Sequence, residues 1–279
     1  MPELPEVEVL RRHLEPRLQG RRILEVEVHR PRLVRPSGDA AIREALRGAS
    51  IQRVDRRGKH LLFVLRTPGG AERTVVGHLG MTGRMYLDSG ETDPPRHTAI
   101  LLRLDRGRFL FEDLRQFGRF HLDLGVLEGI GPEPWSEDWT PDHLLDRLAG
   151  TQQPVKTRLL DQSVVAGVGN IYASEALHHA GIDPARPGSR LKPAEARPLW
   201  HSIRSVLERA IEDGLRADLD FAGGADGLFY FGSAAGRRSG AERLQVYDRE
   251  GKACRRCGGT IQRVIQAGRS TFFCPGCQR

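Results

Sequence analysis

Residues 254–277 read CRRCGGTIQRVIQAGRSTFFCPGC. Two Cys-x2-Cys pairs, Cys254/Cys257 and Cys274/Cys277, hold all four cysteines of the chain and stand 16 residues apart. Two such knuckles at this separation are the pattern of a structural zinc site built from four thiolates. A redox dithiol is the competing reading, and two pairs in so short a segment argue against it. A secreted disulfide scaffold would scatter its cysteines through a small chain instead. Between the knuckles, TIQRVIQAGRSTFF is rich in β-formers, with Ala267–Gly268 near its centre, which predicts a hairpin turning there. One zinc ion would fold a tail too small to bury a core of its own. Arg263 and Arg269 would be displayed on that hairpin.

The charge around this segment is one-signed. From Lys252 to Arg279 there are six basic residues and no acidic one. Over the whole chain 43 Lys and Arg face 36 Asp and Glu, a net charge of +7 and a pI near 9.7. A basic tail suits a polyanion, and a plain solvated tail is the bland alternative. At 279 residues the chain can hold one large domain or two to three small ones. Hydrophobic content of 39% and charged content of 28% fit a globular protein. No apolar run is long enough to span a membrane, and acids and prolines stand where a signal peptide would carry its apolar core. The expectation is a cytoplasmic protein.

Upstream, residues 167–181 read GVGNIYASEALHHAG. Gly167 and Gly169 permit a tight turn, Asn170 is a good N-cap, and Gly181 suits the helix end. Free N–H groups at such a helix start bind phosphate. The P-loop pattern is absent, since no Lys-Ser/Thr follows, and the dinucleotide-binding pattern fails because Tyr172 occupies its third glycine position. A turn between two helices that grips a DNA phosphate fits the residues, and a purely structural helix pair remains open. Further helices are expected at 141–149, opened by Thr140–Pro141, at 154–162, and at 193–214, where Leu199, Ile203, Val206, Leu207 and Ile211 share a face. Residues 23–122 read as short β-runs such as ILEVEV, KHLLFVL and TAILLRL, divided by Gly, Pro and Asp, which predicts an antiparallel sandwich or barrel. The Gly- and Ala-rich stretch 222–240 reads as a long loop, functional or a linker.

Two features near the N-terminus carry possible chemistry. Met81 in HLGMTGRMY and Phe117 in FEDLRQFGRF sit beside turn glycines, where apolar side chains either join a core or act as wedges between base pairs. The chain starts MPELPEVE, and Val7, Leu10, Leu14 and Leu18 place 5–19 on a helix with Pro5 in its first turn. Removal of Met1 would leave Pro2 as a secondary amine. An α-amino group titrates near neutral pH, so a neutral fraction could attack a carbon, with Glu3 beside it for proton transfer. An ordinary acidic helix start is the competing reading, with Glu8 a solvated helix residue.

Together these segments resemble the bacterial formamidopyrimidine-DNA glycosylase family. The resemblance runs from Pro2 to Arg279 and rests on PELPEVE, RGKHLLF, HLGMTG, the D-x-R-x-FG element, LLDQSVVAGVGNIYASEAL and GRSTFFCPGCQR. It implies an α+β multidomain fold: a catalytic β-sandwich with the N-terminal helix over 1–132, a helix–two-turns–helix DNA-binding domain over 133–222, and a lesion-capping loop with a zinc β-hairpin over 223–279. It implies a bifunctional glycosylase and abasic-site lyase that excises oxidised purines from double-stranded DNA, acting as a cytoplasmic, nucleoid-associated monomer without a membrane partner. By the same resemblance Pro2 attacks C1′ of a flipped nucleotide, Glu3 moves protons, Lys59 on its strand assists β-elimination and Arg269 the following δ-elimination. Met81, Arg115 and Phe117 match the trio that fills the vacated space and probes the partner base. His97, Lys156, Asn170 and Arg269 fall where the family grips phosphates, and Glu6, Glu175 and Tyr172 fall at the lesion pocket. Extruding a base costs about a few kcal/mol of stacking, which is why a filler is needed.

The chain departs from the family at Thr151–Gln152, where a basic pair is common, at Ala99, at EVEVLRR, and in the loop 212–238 that would contact the flipped base. A pyrimidine-preferring endonuclease VIII type is the sibling alternative; Leu4, where that branch carries Gly, favours the purine branch. A non-catalytic zinc protein that binds damaged DNA is the alternative from another class, and Pro2, Glu3 and Lys59 argue against it.

Overall fold

Helix α1, Leu4–Leu18, begins where Pro5 costs no backbone hydrogen bond, and Gly20 at φ +79° lies just beyond its end. The structure is a computed structural model describing residues 1–216 and 244–279. These divide into two units: Met1–Pro2 with Glu6–Glu128, and Glu3–Pro5 with Gly129–Arg216 and 244–279. Val7, Leu10, Leu14 and Leu18 recur at helical spacing and are fully buried in the core of the first unit.

Glu8 shares that helix and is not a solvated residue, which corrects the sequence expectation. It is 7% exposed, and Arg11, Arg12 and Arg56 donate to its carboxylate at 3.1, 2.7 and 3.0 Å. Burial alone would raise its pKa; the three guanidinium groups outweigh burial and hold it at about 2 against an ordinary 4.5. The charged carboxylate therefore stabilises the fold above pH 4.5, and that contribution is lost as pH falls toward 2. After allowance for partial solvent screening the effect is about 2 kcal/mol. Glu8→Gln is expected to lower urea stability by about that much at pH 7 and by almost nothing at pH 2. An equal loss at both pH values would remove the ion cluster from this role.

The first unit continues as two antiparallel sheets. Strands β1 (Ile23–Val28), β6 (Thr98–Leu104), β7 (Arg108–Asp113) and β5 (Gly83–Asp88) form one in the order β1-β6-β7-β5. Strands β2 (Ser50–Arg57), β3 (His60–Arg66), β4 (Glu72–His78) and β8 (Arg119–His121) form the other in the order β2-β3-β4-β8. Their facing sides meet through Phe63 and Phe120 of one sheet and Phe109 of the other, with Phe63 5.6 Å from each of the other two rings. Burying a ring of this size contributes about 2–3 kcal/mol. Helix α2, Asp39–Leu46, interrupts a region the sequence reads as extended. Ile42, Ala45 and Leu46 bury one short face there, a signal of barely two turns among stronger β-runs.

In the second unit, α3 (Pro141–Ala149) is capped by Thr140, whose Oγ1 accepts from His143 N–H at 3.0 Å. Helix α4 covers only Val155–Leu159, shorter than expected, and α5 (Asn170–Ala180) and α6 (Pro193–Arg216) follow. Leu199, Ile203 and Leu207 of α6 pack with Trp139, Leu144, Leu148, Leu159 and Leu177 into one core. Strands β9 (Gln262–Gln266) and β10 (Arg269–Phe273) form the expected hairpin, with Ala267 at φ +45° and Gly268 at φ +71° in the turn. The first residues of the expected capping loop 212–238 belong instead to the last turn of α6, which runs to Arg216, and its remainder, 217–238, lies outside the described residues.

Candidate active site

The Gly-Val-Gly turn before α5 receives the chain's own N-terminal segment. Glu3 is buried, and its carboxylate accepts from the backbone N–H groups of Ile171 at 2.9 Å and Tyr172 at 3.3 Å. Those donors are among the unpaired N–H groups of the first helical turn, where the helix dipole also favours an anion. Gly169 is the N-cap and Asn170 opens the helix, so the expected Asn170 cap is replaced by Glu3. The glycines follow from crowding. A Cβ on Gly169 would lie 2.3 Å from Glu3 Cδ, and one on Gly167 (φ +83°) 2.4 Å from Leu4 Cβ. Leu4 N–H donates to Gly167 O at 3.1 Å, closing the seat.

Released from capping, Asn170 bridges two elements. Its Oδ1 accepts from Lys156 Nζ, and its Nδ2 donates to Ser270 O at 2.9 Å. Lys156 is fully buried. Burial, then the neighbouring Arg269 charge, lowers its pKa to about 8, while Glu3 works the other way. Glu3, Lys156, Asn170 and Arg269 are thus gathered at the start of α5, with exposed Arg269 opening β10.

Glu175 and Tyr172, expected at a lesion pocket, are both buried. Glu175 accepts from the N–H groups of Gln245, Val246 and Tyr247 at 2.8, 2.9 and 2.9 Å. Burial pushes its carboxyl up, and the three N–H bonds pull it down. It fastens residues 245–247 to α5 rather than presenting a free carboxylate. Tyr172 is buried in the helical core.

In the first unit, Lys59 occupies the two-residue turn between β2 and β3, not a strand position, and is almost fully buried. His60 and His78 lie with ring centroids 4.8 Å apart, and His78 Nδ1 accepts from Gly80 N–H at 3.1 Å. Burial lowers the pKa of His60, His78 and His121, that of His78 to about 3, and the Lys59 charge adds to the shift at His60 and His78. These neutral imidazoles were not singled out in the sequence, although His60 follows Lys59 and His78 opens HLGMTG. Pro2 and Glu6 are buried in this unit, whereas Met1 is half exposed.

Met81 and Phe117 are 44% and 42% exposed, on two turns that Asp113 locks together. Thr82 Oγ1 donates to Asp113 Oδ1 at 2.6 Å, Gly118 N–H donates to Asp113 Oδ2 at 2.7 Å, and Arg115 N–H donates to Thr82 Oγ1 at 3.1 Å. A Cβ on Gly80 would lie 2.6 Å from the Phe117 carbonyl carbon, so glycine permits the close approach. The Arg115 guanidinium stacks 4.7 Å from the Phe117 ring centroid. Asp113 N–H donates to His97 O at 3.0 Å, tying His97 to the same turn. Leu114, 61% exposed, is a further apolar side chain here that the sequence did not mark out.

The four cysteine sulfurs converge, all within 4.8 Å of one another, with no disulfide formed. Cys254–Cys277 and Cys257–Cys274 lie at 3.8 and 3.4 Å. A tetrahedron with Zn–S bonds of about 2.3 Å has edges of about 3.8 Å, so the residues fit one structural zinc ion. Among the described residues no other His, Cys, Asp or Glu cluster could hold a metal.

Comparison with known proteins follows the same divisions. Residues 1–120 match the formamidopyrimidine-DNA glycosylase N-terminal domain, 130–218 the H2TH domain of the same enzymes, and 251–279 the zinc finger found in FPG and IleRS. A formamidopyrimidine-DNA glycosylase of Symbiobacterium thermophilum is 44% identical, covering 100% of this chain and 89% of its own length. One from Chloroflexus aurantiacus is 42% identical, covering 100% and 98%. A Lactococcus lactis FPG mutant bound to Fapy-dG DNA superimposes with a TM-score of 0.87 at 33% identity over 100% of both chains. The wild-type L. lactis enzyme bound to DNA with an oxidised pyrimidine gives 0.86 at 35%, again over 100% of both.

Proposed function

The chain belongs to the formamidopyrimidine-DNA glycosylase family, and from that premise we propose that it excises 8-oxoguanine and formamidopyrimidines from duplex DNA and then cuts the strand at the abasic site. It is a DNA glycosylase of a family whose members also carry abasic-site lyase activity. With Met1 removed, the Pro2 secondary amine attacks C1′ of the flipped nucleotide. The C1′–N bond to the base breaks, the base leaves with a proton, and the sugar ring opens to an iminium ion on Pro2. Glu3, next in the chain, shuttles the proton that ring opening requires. A buried carboxylate held by two backbone N–H groups is fixed in position while it does so. That observation carries the reading: Gly169 makes room for the Glu3 carboxylate and Gly167 for the adjoining Leu4, a seat that an idle terminus would not need.

Loss of a C2′ proton from the iminium expels the 3′ phosphate, and a second elimination expels the 5′ phosphate. Lys59 is assigned to the first and Arg269 to the second. The uncharged imidazoles around Lys59 keep further positive charge away from its amine. Met81, Arg115 and Phe117 fill the space left by the extruded nucleotide, with Arg115 addressing the partner cytosine. Asn170 and His97 hold phosphates, while Lys156 orients Asn170 from beneath. Zinc holds the hairpin that carries Arg269. The enzyme acts as a cytoplasmic monomer; among the described residues no helix is long and apolar enough to cross a membrane.

The test is a panel of duplexes carrying 8-oxoguanine, formamidopyrimidine or an oxidised pyrimidine, each opposite the four bases. The purine lesions opposite cytosine are expected to be cut at least about tenfold faster than the pyrimidines, a gap of about 1.4 kcal/mol in activation free energy. A reversed order would assign the chain to the pyrimidine-preferring type, and no cutting of any duplex would end the enzymatic reading.

A further inference from the structure

The zinc sulfurs have a polar neighbour outside the four-cysteine pattern. His178 lies on α5, three residues after Glu175, and is almost completely buried. Its Nε2 is 3.6 Å from Cys254 Sγ, while its buried Nδ1 has no hydrogen-bond partner. A buried imidazole with one empty nitrogen is costly, and a hydrocarbon ring of similar size would fill the space without that penalty. The contact with sulfur is what distinguishes histidine from such a ring. His178 does not belong to the set of ligand atoms that all lie within 4.8 Å of one another, so the cysteines complete a four-coordinate site without it.

We propose that His178 donates its Nε2–H to the Cys254 thiolate of the zinc centre, and so retains the metal and shields that sulfur from electrophiles. A metal-bound cysteine is a thiolate, an acceptor with no proton of its own. A hydrogen bond to it withdraws charge from sulfur and lowers its nucleophilicity, and it fixes the ligand's orientation toward the ion. The bond also belongs to a series running along α5. Asn170 holds Ser270 O, Glu175 holds residues 245–247, His178 holds Cys254, and Gly181 O accepts from Arg279 N–H at 3.1 Å. His178 is thus a positioning residue through which the helix that seats Glu3 at its start grips the metal knuckle near its end.

The zinc-loaded protein is challenged with a chromogenic chelator, and zinc transfer is timed alongside iodoacetamide alkylation of Cys254, read by peptide mass. His178→Phe keeps ring and packing but removes the N–H. Zinc release and Cys254 alkylation are expected to accelerate about tenfold or more, in line with the cost of losing such outer partners. His178→Gln restores an amide N–H near the Nε2 position and is expected to recover most of the protection. Wild-type rates in His178→Phe overturn the proposal, and so does a His178→Gln protein as labile as His178→Phe. If the variants do not fold, nitrogen NMR of the wild-type protein loaded with cadmium-113 decides: a proton on Nε2 supports the proposal and a proton on Nδ1 overturns it.

Discussion

A version of the chain that keeps Pro2 inside a peptide bond, through a short extension ahead of it, is expected to form no borohydride-trapped adduct with an abasic duplex. The mature form is expected to be trapped readily. A free Pro2 nitrogen is a secondary amine with an available lone pair. In a peptide bond that lone pair is delocalised into the carbonyl, so no iminium ion can form. Both base excision and strand cutting should fall by at least about a thousandfold, more than 4 kcal/mol of transition-state stabilisation. Zinc content and affinity for undamaged duplex should change little, because the cysteines and the exposed basic side chains are untouched. Undiminished trapping by the extended protein would transfer the nucleophile to another amine. Lys59 and Lys156 would then be the first to examine, since each is a buried lysine in a candidate site.

Gly169→Ala is expected to abolish base excision nearly as completely as Glu3→Gln. The added methyl group would sit 2.3 Å from Glu3 Cδ and within 2.7 Å of both its oxygens. The side chain can escape only by giving up the bonds from Ile171 and Tyr172 N–H that hold its carboxylate. Glu3 must therefore leave its seat, and the first turn of α5 loses its cap. Misplacing a general acid/base costs about a hundredfold or more, and overpacking of this kind destabilises by about 1–3 kcal/mol. Elimination at a preformed abasic site, assigned to Pro2 and Lys59, should suffer less. The double variant should be no worse than the single ones, because both remove the same group. A Gly169→Ala enzyme that retains full excision while Glu3→Gln loses it would show that the seat is not what positions the carboxylate.

Much of the architecture is written in local sequence. The cysteine knuckles announce zinc by their spacing, the Ala267–Gly268 turn follows from its residues, and α1, α3 and α6 follow from apolar periodicity and Thr140–Pro141. Each depends on neighbours within a few positions, so pattern and physics coincide. Other features depend on partners that the sequence places far apart. The cap of α5 comes from Glu3, 168 residues before Ile171, so Asn170 looked like the cap until a carboxylate took its place. Glu8 reads as a surface acid because Arg56 is 48 residues away, and nothing in the sequence near Glu175 marks the N–H groups, 70 or more residues away, that its carboxylate binds. Lys59 and the neighbouring histidines acquire their electrostatics only when adjacent strands bury them together. The sequence by itself determined most of the elements, α2 excepted, and which side chains have the chemistry to react or to bind metal. Only the tertiary structure decided which of those charges are paired, buried or held in place, because desolvation and hydrogen bonding act through space and chain spacing encodes only the nearest neighbours.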